Sequence, residues 1–235
     1  MPGITDTSHR IPHALSSSQE RKLVDYLDTQ FLEITRNFKK RSDPSSNLPS
    51  LSDYLNATHT LLSLILQIPP IDPSTSLRTT LLLRLTGEVM DSILGYKPEP
   101  RFLSQLLEWL GDLDNAWLAV LRSQTWDTET AQGVDLIIDQ EGAAATPNIR
   151  STPMNQTERA RLRSLLIGGT ARMEEWLVNL GSPSTTAETD SEGLDDMLER
   201  LGLQQGFDDL FSGTLSEMGS LGGSVNNPEG MEGTC

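Results

Sequence analysis

A leucine-rich apolar stripe with helical spacing recurs five times along this chain and narrows the choice of fold sharply. In its first occurrence Leu23, Leu27 and Phe31 stand four residues apart, which places them on one face of an α-helix. Ser17 and Glu20 precede this stripe with the spacing of a helix-capping box. The recurring pattern predicts five helices, over residues 18–41, 51–68, 77–94, 102–122 and 157–180. Five helices joined mostly by short polar loops indicate an all-α helical bundle.

Local details refine the predicted bundle. Residues 81–85 are apolar nearly all round, which predicts a central position for the third helix. Gly168 and Gly169 lie inside the fifth helix, so either the helix breaks there or another backbone approaches it closely. Residues 134–139 have the composition of a short strand without a partner, and we expect an extended piece or a helical turn packed on the bundle. Two more capping pairs are expected, at Ser50 with Asp53 and at Asn155 with Glu158.

The charge of the chain is concentrated near its C-terminus. The formal net charge is −15, and residues 173–235 contain 13 acidic residues and a single basic one. Only 36% of the residues are hydrophobic and 5% aromatic, which predicts that part of the chain lies outside any core. We therefore predict a flexible N-terminal tail (1–15), a helical bundle domain (16–181) and an acidic, mostly disordered tail with short amphipathic segments (182–235). Direct binding of nucleic acid is not expected, because phosphate contacts need clustered cations.

Cysteine usage and hydropathy limit the cellular setting. A single cysteine, Cys235, leaves no internal disulfide and no thiolate zinc site. The first residues contain no continuous apolar run of the kind found in secretory signals. The longest apolar stretch, residues 61–68, is far shorter than the roughly 20 residues that a membrane helix needs. We expect a soluble protein that is not secreted and does not enter a membrane.

No residue pattern in the chain points to catalysis. The glycine-rich, nucleophile-elbow and HExxH motifs are absent from the sequence. His9 and His13 are four residues apart but have no third ligand nearby, so no metal site is expected. Asp112 and Asp114 do not share a helix face and suit a solvated surface better than acid–base chemistry. We predict no enzyme and no cofactor; a small hydrolase or transferase would need a pocket lined by carboxylates with raised pKa values.

The acidic C-terminal region contains spaced apolar residues that suit a partner-binding segment. Phe207, Leu210 and Phe211 would lie on one side of a short helix, with Asp208 and Asp209 on the other. The hypothesis of a partner-binding role covers a larger set of residues, namely Leu194, Met197, Leu198, Leu201, Phe207, Leu210 and Phe211. The alternative is that the acidic residues only keep a disordered end soluble.

Two further groups of residues suggest regulation or transport. Thr146, Thr152 and Ser182 each precede a proline in a predicted loop, which makes them candidate phosphorylation sites. Proline is also an ordinary loop residue, which is the alternative explanation. The basic run at residues 39–41 fits a nuclear address or a phosphate contact, and equally fits cations at a helix C-terminus.

Three segments resemble a known family. They are LSSSQERKLVDYLDTQFLEITRNFKKR, LPSLSDYLNATHTLLSLILQIPP and STSLRTTLLLRLTGEVMDSIL, and they are similar to the fungal accessory subunits of the transcription and repair factor TFIIH known as its eleventh, Tfb-type, subunit. The resemblance spans residues 15–180. It implies a nuclear protein that binds the XPB-type translocase helicase and regulates its association with the TFIIH core. The predicted function is therefore a non-enzymatic, protein-binding subunit in the nucleus; the alternative is a cytoplasmic helical adaptor or scaffold subunit.

Overall fold

A computed structural model describes residues 13–136, 154–178 and 198–222. In the last of these ranges, side chains are described as far as residue 219. The described residues form helices α1 (Ser17–Lys39), α2 (Leu51–Leu66), α3 (Ser74–Ile93), α4 (Pro100–Leu121), α5 (Gln156–Val178), α6 (Gln204–Asp208) and α7 (Ser212–Gly222). Two three-residue strands, β1 (Thr125–Asp127) and β2 (Gln132–Val134), are the only sheet in these ranges. The predicted all-α class is confirmed. None of the described helices is both long and apolar enough to cross a bilayer.

The first helix begins one residue before the predicted position. Ser16 is the N-cap of α1: its side chain accepts from the Gln19 backbone N–H, and the Ser16 N–H donates to Gln19 Oε1 at 2.9 Å. The predicted box of Ser17 with Glu20 is therefore wrong. Glu20 instead accepts a 3.2 Å hydrogen bond from the Ser74 hydroxyl at the start of α3, which ties the two helices together. The predicted box of Ser50 with Asp53 is confirmed at the start of α2.

Helix α3 lies at the centre of the molecule, as its apolar run predicts. Its leucines at 81–83 and 85 are buried, and α2, α4 and α5 pack around it. One polar pair is buried among these helices: the Trp117 indole N–H donates to the Thr86 hydroxyl at 3.0 Å. Because that donor has an acceptor, the tryptophan is buried without an unpaired polar group.

An aromatic cluster joins α1, α2 and the loop after α3. The rings of Phe38, Tyr54 and Tyr96 lie 5.6–5.8 Å apart between centroids in tilted pairs. Arg41 stacks over Phe38, with its guanidinium carbon 4.6 Å from the ring centroid. The same arginine donates through Nε to the Gly95 carbonyl at 2.8 Å. Arg41, part of the basic run, thus fastens the end of α1 to the end of α3.

Helix α5 packs against α3 through a glycine. The predicted box of Asn155 with Glu158 is present, with backbone N–H to side-chain hydrogen bonds of 3.0 and 2.9 Å. The helix does not break at Gly168 and Gly169. A Cβ at Gly169 would lie only 2.4 Å from Met90 Cε on α3, whereas one at Gly168 would meet nothing within 4 Å. The close approach involves the Met90 side chain and not a second backbone, so neither predicted alternative is observed as stated.

The segment after α4 forms a small hairpin instead of a lone extended piece. Strands β1 and β2 pair antiparallel, with Trp126 opposite Gly133 and Thr125 opposite Val134. The predicted strand-like run therefore has a partner at its beginning, which the sequence analysis missed because each strand is only three residues long. Residues 137–153 lie outside the described ranges.

A buried arginine connects this hairpin region to α3. Arg78 is 1% exposed, and its Nη1 donates to the Gln124 carbonyl at 2.7 Å. Its Nε and Nη2 atoms have no hydrogen-bond partner in the described part of the chain. Burial lowers the pKa of Arg78 to about 10, because removing a cation from water disfavours its charged form.

Residues 198–222, which we call the C-terminal segment, fold onto the bundle. Helices α6 and α7 belong to this segment, and α7 packs along α4. The Thr214 N–H donates to Asp114 Oδ1 at 3.0 Å, and Arg122 donates through Nε to Glu217 at 3.0 Å. The predicted division at residue 182 needs correction for this segment, because its apolar anchors are part of the same hydrophobic core as the bundle.

Candidate functional site

The candidate site is an open groove between α2 and α4, which we call the α2–α4 groove. Its volume is about 200 Å³. It is lined on α2 by Leu55, Asn56 and His59, and on α4 by Gln105, Glu108, Trp109 and Asp112. These residues recur every three or four positions on each helix, so the groove runs where the polar edges of two amphipathic helices meet.

Two hydrogen bonds cross the α2–α4 groove and fix its walls. His59 donates through Nε2 to Asp112 Oδ2 at 3.1 Å. Gln105 donates through Nε2 to Asn56 Oδ1 at 3.0 Å. Both helices are also anchored in the core, since Leu55 of α2 and Leu110 of α4 are almost completely buried. The groove is therefore a preformed feature of the bundle.

Two groups in the groove have hydrogen-bonding capacity that the chain does not use. Trp109 is 3% exposed, and its indole N–H has no acceptor among the described residues. Glu108 is exposed and forms no ion pair within the described ranges. None of the seven lining residues is lysine or arginine. The groove thus has an uncompensated negative charge at its surface, and the unpaired indole N–H of Trp109 is closed off from solvent.

Two other grooves lack this combination. The α1–α2 groove has a volume of about 240 Å³ and is lined in part by Tyr26, Glu33 and Thr60. A third groove, of about 300 Å³, lies between α1 and α3 beside Tyr54. The Tyr54 hydroxyl donates to the Glu88 carbonyl at 3.3 Å, and burial raises its pKa well above the usual range. No buried side-chain donor or acceptor lining either groove lacks a partner in the described structure.

The predicted partner-binding residues do not form an exposed apolar face. Leu198, Phe207 and Phe211 are buried in the core, and Leu210 is half-buried. Leu201 is exposed, whereas Leu194 and Met197 lie outside the described residues. The expectation that these side chains are available to another protein needs correction for Phe207 and Phe211, because this chain's own core already covers them.

The remaining sequence candidates have mixed outcomes. Thr146, Thr152 and Ser182 lie outside the described residues, so their modification stays a prediction. Arg41 is held by the aromatic cluster and the Gly95 carbonyl, which accounts for it without a nuclear address. Within the described ranges, no group of three or more His, Cys, Asp or Glu side chains is arranged to hold a metal ion.

Sequence reasoning missed the α2–α4 groove, although it considered some of its residues. Asp112 is considered above only together with Asp114. The structure separates these two carboxylates: Asp112 faces His59, and Asp114 accepts from Thr214 of the C-terminal segment. The signal in the sequence was a set of polar residues at helical spacing beside Trp109. This signal marks the polar edge of α4, but it does not show that α2 faces that edge.

Comparison with known proteins adds no assignment. No protein-family model, no curated protein and no solved structure matches this chain. The function has to be inferred from the geometry of the chain itself.

Proposed function

We propose that this chain is a non-enzymatic subunit that binds another protein through the α2–α4 groove. The observation that carries the proposal is an open groove whose walls are fixed by two hydrogen bonds and whose exposed Glu108 forms no ion pair with the described residues. A positively charged residue of a bound protein would meet the Glu108 carboxylate without displacing an existing ion pair of the described chain.

The shape of the α2–α4 groove suits a protein partner better than a small substrate. Its volume of about 200 Å³ lies below the roughly 300–1,000 Å³ of typical ligand pockets. A groove of this size accommodates one side chain of a larger partner. Its walls are held by His59–Asp112 and Gln105–Asn56 before any partner arrives, which reduces the ordering cost of binding.

The resemblance to TFIIH accessory subunits supports a more specific setting for this function. We propose that the partner belongs to TFIIH, with the translocase helicase as the first candidate, and that the protein acts in the nucleus. The net charge of −15 supports a protein partner over nucleic acid, since negative surfaces repel phosphates.

A pair of matched variants on α2 tests the proposal. Asn56→Trp places a bulky ring in the α2–α4 groove, whereas Thr60→Trp places the same ring in the α1–α2 groove. Both positions are exposed, so both variants are expected to fold, which circular dichroism checks. Affinity purification of the tagged full chain from nuclear extract, followed by mass spectrometry, is expected to recover helicase and TFIIH core subunits with the wild type and Thr60→Trp but not with Asn56→Trp.

Two results would count against parts of this proposal. Equal recovery with Asn56→Trp would remove the α2–α4 groove from the function. Exclusion of a fluorescently tagged copy from the nucleus would remove the TFIIH setting and favour a cytoplasmic adaptor.

A further inference from the structure

We infer that the C-terminal segment is an intramolecular ligand, and that the face of α4 beneath it binds an amphipathic helix of another protein once the segment is released. This inference is independent of the α2–α4 groove, because the two surfaces lie on different sides of α4. Asp112 faces His59 of α2, whereas Asp114 accepts from Thr214 of the segment. Residues two positions apart in a helix point in nearly opposite directions, so the two surfaces do not overlap at these carboxylates.

The covered face of α4 carries both apolar and charged side chains. Leu107, Asp114 and Leu118 of α4, and Arg122 directly after it, follow one another at intervals of seven, four and four residues, which places them along one side of the helix. The two leucines lie against glycines of the segment, and the two charged side chains bond to its polar groups. Because Asp114 and Arg122 become hydrated when the segment leaves, the uncovered face is compatible with water.

The segment has the properties of a peptide that folds when it binds. Helices α6 and α7 have 5 and 11 residues, which is below the roughly 12–15 residues at which an isolated helix is marginally stable in water. Among the described helices, α7 packs mainly on α4. Thr214 is completely buried, and both its N–H and its hydroxyl donate to the Asp114 carboxylate. The order of α7 therefore depends on its contact with α4.

The contacts of α7 define the chemistry of the partner helix. A small residue is needed beside α4, since a Cβ at Gly213 would lie 2.8 Å from Asp114 Oδ2 and 3.2 Å from Leu118 Cδ1. The next residue has a hydroxyl group that donates to the Asp114 carboxylate. An acidic residue three positions later accepts from Arg122, as Glu217 does at 3.0 Å. The partner helix thus has glycine, then threonine or serine, and then an acidic residue three positions further on.

The closed chain blocks such a partner by competition. The segment belongs to the same chain as α4, and tethered ligands reach effective concentrations on the order of 1 mM at their site. A partner at micromolar concentration is therefore excluded while the segment is docked. Release of the segment opens the face, so the contact between the segment and α4 is autoinhibitory.

The direct test measures binding of a fluorescein-labelled peptide with the sequence of residues 198–222 by fluorescence anisotropy. The full chain with Gly213→Leu is the released form, because leucine at this position collides with Asp114 and Leu118. Gly219→Leu is the matched control on α7, since a Cβ there meets nothing within 4 Å. We expect the peptide to bind the Gly213→Leu chain at least about tenfold more tightly than the wild type or Gly219→Leu, whose own segments stay docked.

Further substitutions determine where the peptide binds. In the Gly213→Leu chain, Asp114→Ala should weaken peptide binding about tenfold, because the hydrogen bonds to a carboxylate are lost. Asp112→Ala removes a carboxylate from the other side of α4 and should leave the affinity unchanged. A peptide that itself carries Gly213→Leu meets the same collision and should bind at least about tenfold more weakly, whereas a peptide with Gly219→Leu should bind like the unmodified one.

A milder variant and a folding control complete the experiment. Thr214→Val in the full chain keeps the shape of the side chain and removes its hydroxyl donor, so its affinity for the peptide should lie between those of the wild type and Gly213→Leu. Circular dichroism should show that Gly213→Leu loses no more helix than α6 and α7 contain. A larger loss would mean that the bundle requires the segment, and would overturn the inference.

Three binding results would also overturn it. These are equal affinity of the peptide for the wild type and Gly213→Leu, no binding to either chain, and an equal effect of Asp112→Ala and Asp114→Ala.

Discussion

Helix α3 and the C-terminal segment both place large side chains in the same core, but the fold holds them differently. Helix α3 is 20 residues long and has α2, α4 and α5 packed around it. The helices of the C-terminal segment have 5 and 11 residues, and α7 packs mainly on α4 among the described helices. A residue buried in α3 is therefore coupled to the whole bundle, whereas one in the C-terminal segment is coupled mainly to α4. Equal burial does not imply equal consequences for stability.

The largest expected effect comes from a cavity in α3. Leu82→Ala should lower the free energy of unfolding by about 2–5 kcal/mol, because Leu82 is completely buried and its neighbours come from several helices. Urea denaturation followed by circular dichroism measures this loss. Leu32→Ala, at an exposed position of α1, is the control and should change little. A loss below about 1 kcal/mol for Leu82→Ala would break the contrast between the two regions.

Removing a large buried side chain from the C-terminal segment should instead detach that segment from the bundle. Phe211 is 1% exposed and has a positive φ of 58°, a strained value for a residue with a side chain. Phe211→Ala should cost less than the about 3–5 kcal/mol typical of a buried phenylalanine, since the segment can detach while the bundle stays folded. Hydrogen exchange should accelerate in residues 212–222 and not in α3. Uniform acceleration across the chain would show that the two regions unfold together.

Removing the buried charge of α3 should raise stability. Arg78→Met keeps most of the side-chain volume and removes a buried cation with two unpaired nitrogens. The free energy of unfolding at pH 7 should therefore rise by about 1–4 kcal/mol. The folded pKa of Arg78 is about 10 and its ordinary value is 12.5. Between pH 10 and pH 12.5 the unfolded chain therefore binds more protons than the folded chain. The free energy of unfolding of the wild type accordingly rises as the pH increases through 10.

The advantage of Arg78→Met should accordingly shrink between pH 7 and pH 10.5 in urea denaturation. Arg84→Met is the matched control on the same helix, because Arg84 is partly exposed and bonded to Glu88 at 2.9 Å. That variant should lose a little stability at pH 7. A loss of stability for Arg78→Met at pH 7 would mean that the hydrogen bond to the Gln124 carbonyl outweighs the buried charge.

Two adjacent glycines of α5 test how tightly this helix packs on α3. Gly168→Ala should raise the free energy of unfolding by about 0.5–1 kcal/mol, because alanine favours the helix and meets nothing there. Gly169→Ala gains the same propensity but pushes Met90, and overpacking of this kind costs about 1–3 kcal/mol. Thermal unfolding should rank Gly168→Ala above the wild type and Gly169→Ala below Gly168→Ala. Equal midpoints for the two variants would contradict the close approach.

The smallest effect is expected at the surface of the C-terminal segment. Glu217→Gln weakens the bond to Arg122, which joins α7 to the end of α4. Exposed ion pairs contribute about 0–1 kcal/mol, so the change in the free energy of unfolding should lie within that range and fade in 1 M salt. A larger, salt-independent loss would mean that this pair, and not the buried Phe211, holds the segment in place.

The helical body could be predicted from sequence because its signals are local. Apolar spacing located α1 to α5 within a few residues, and the caps at Ser50 and Asn155 fixed two helix starts. The predicted cap of α1 is one residue too late because Ser16 with Gln19 and Ser17 with Glu20 have the same spacing, and the sequence does not show that Glu20 accepts from Ser74 on α3. Local chemistry therefore determines the elements well and their ends less well.

The docking of the C-terminal segment and the α2–α4 groove could not be predicted, because both depend on contacts between residues that are far apart in sequence. An amphipathic pattern shows that Phe207 and Phe211 need an apolar surface, but it does not show whether that surface belongs to this chain or to another. The α2–α4 groove has the same origin, since His59 and Asp112 are 53 positions apart. An unpaired donor such as the Trp109 N–H becomes visible only once all other acceptors have positions in space.

The docking of Thr214 on Asp114 has a consequence for how the molecule is made. These two residues are separated by 100 positions, so α4 leaves the ribosome long before the segment that covers it. At about 5–20 residues per second, that interval is roughly 5–20 s. During this time the surface of α4 is open to water, to chaperones and to neighbouring nascent chains. Slowing or speeding translation between these two codons should therefore change the yield of correctly closed protein.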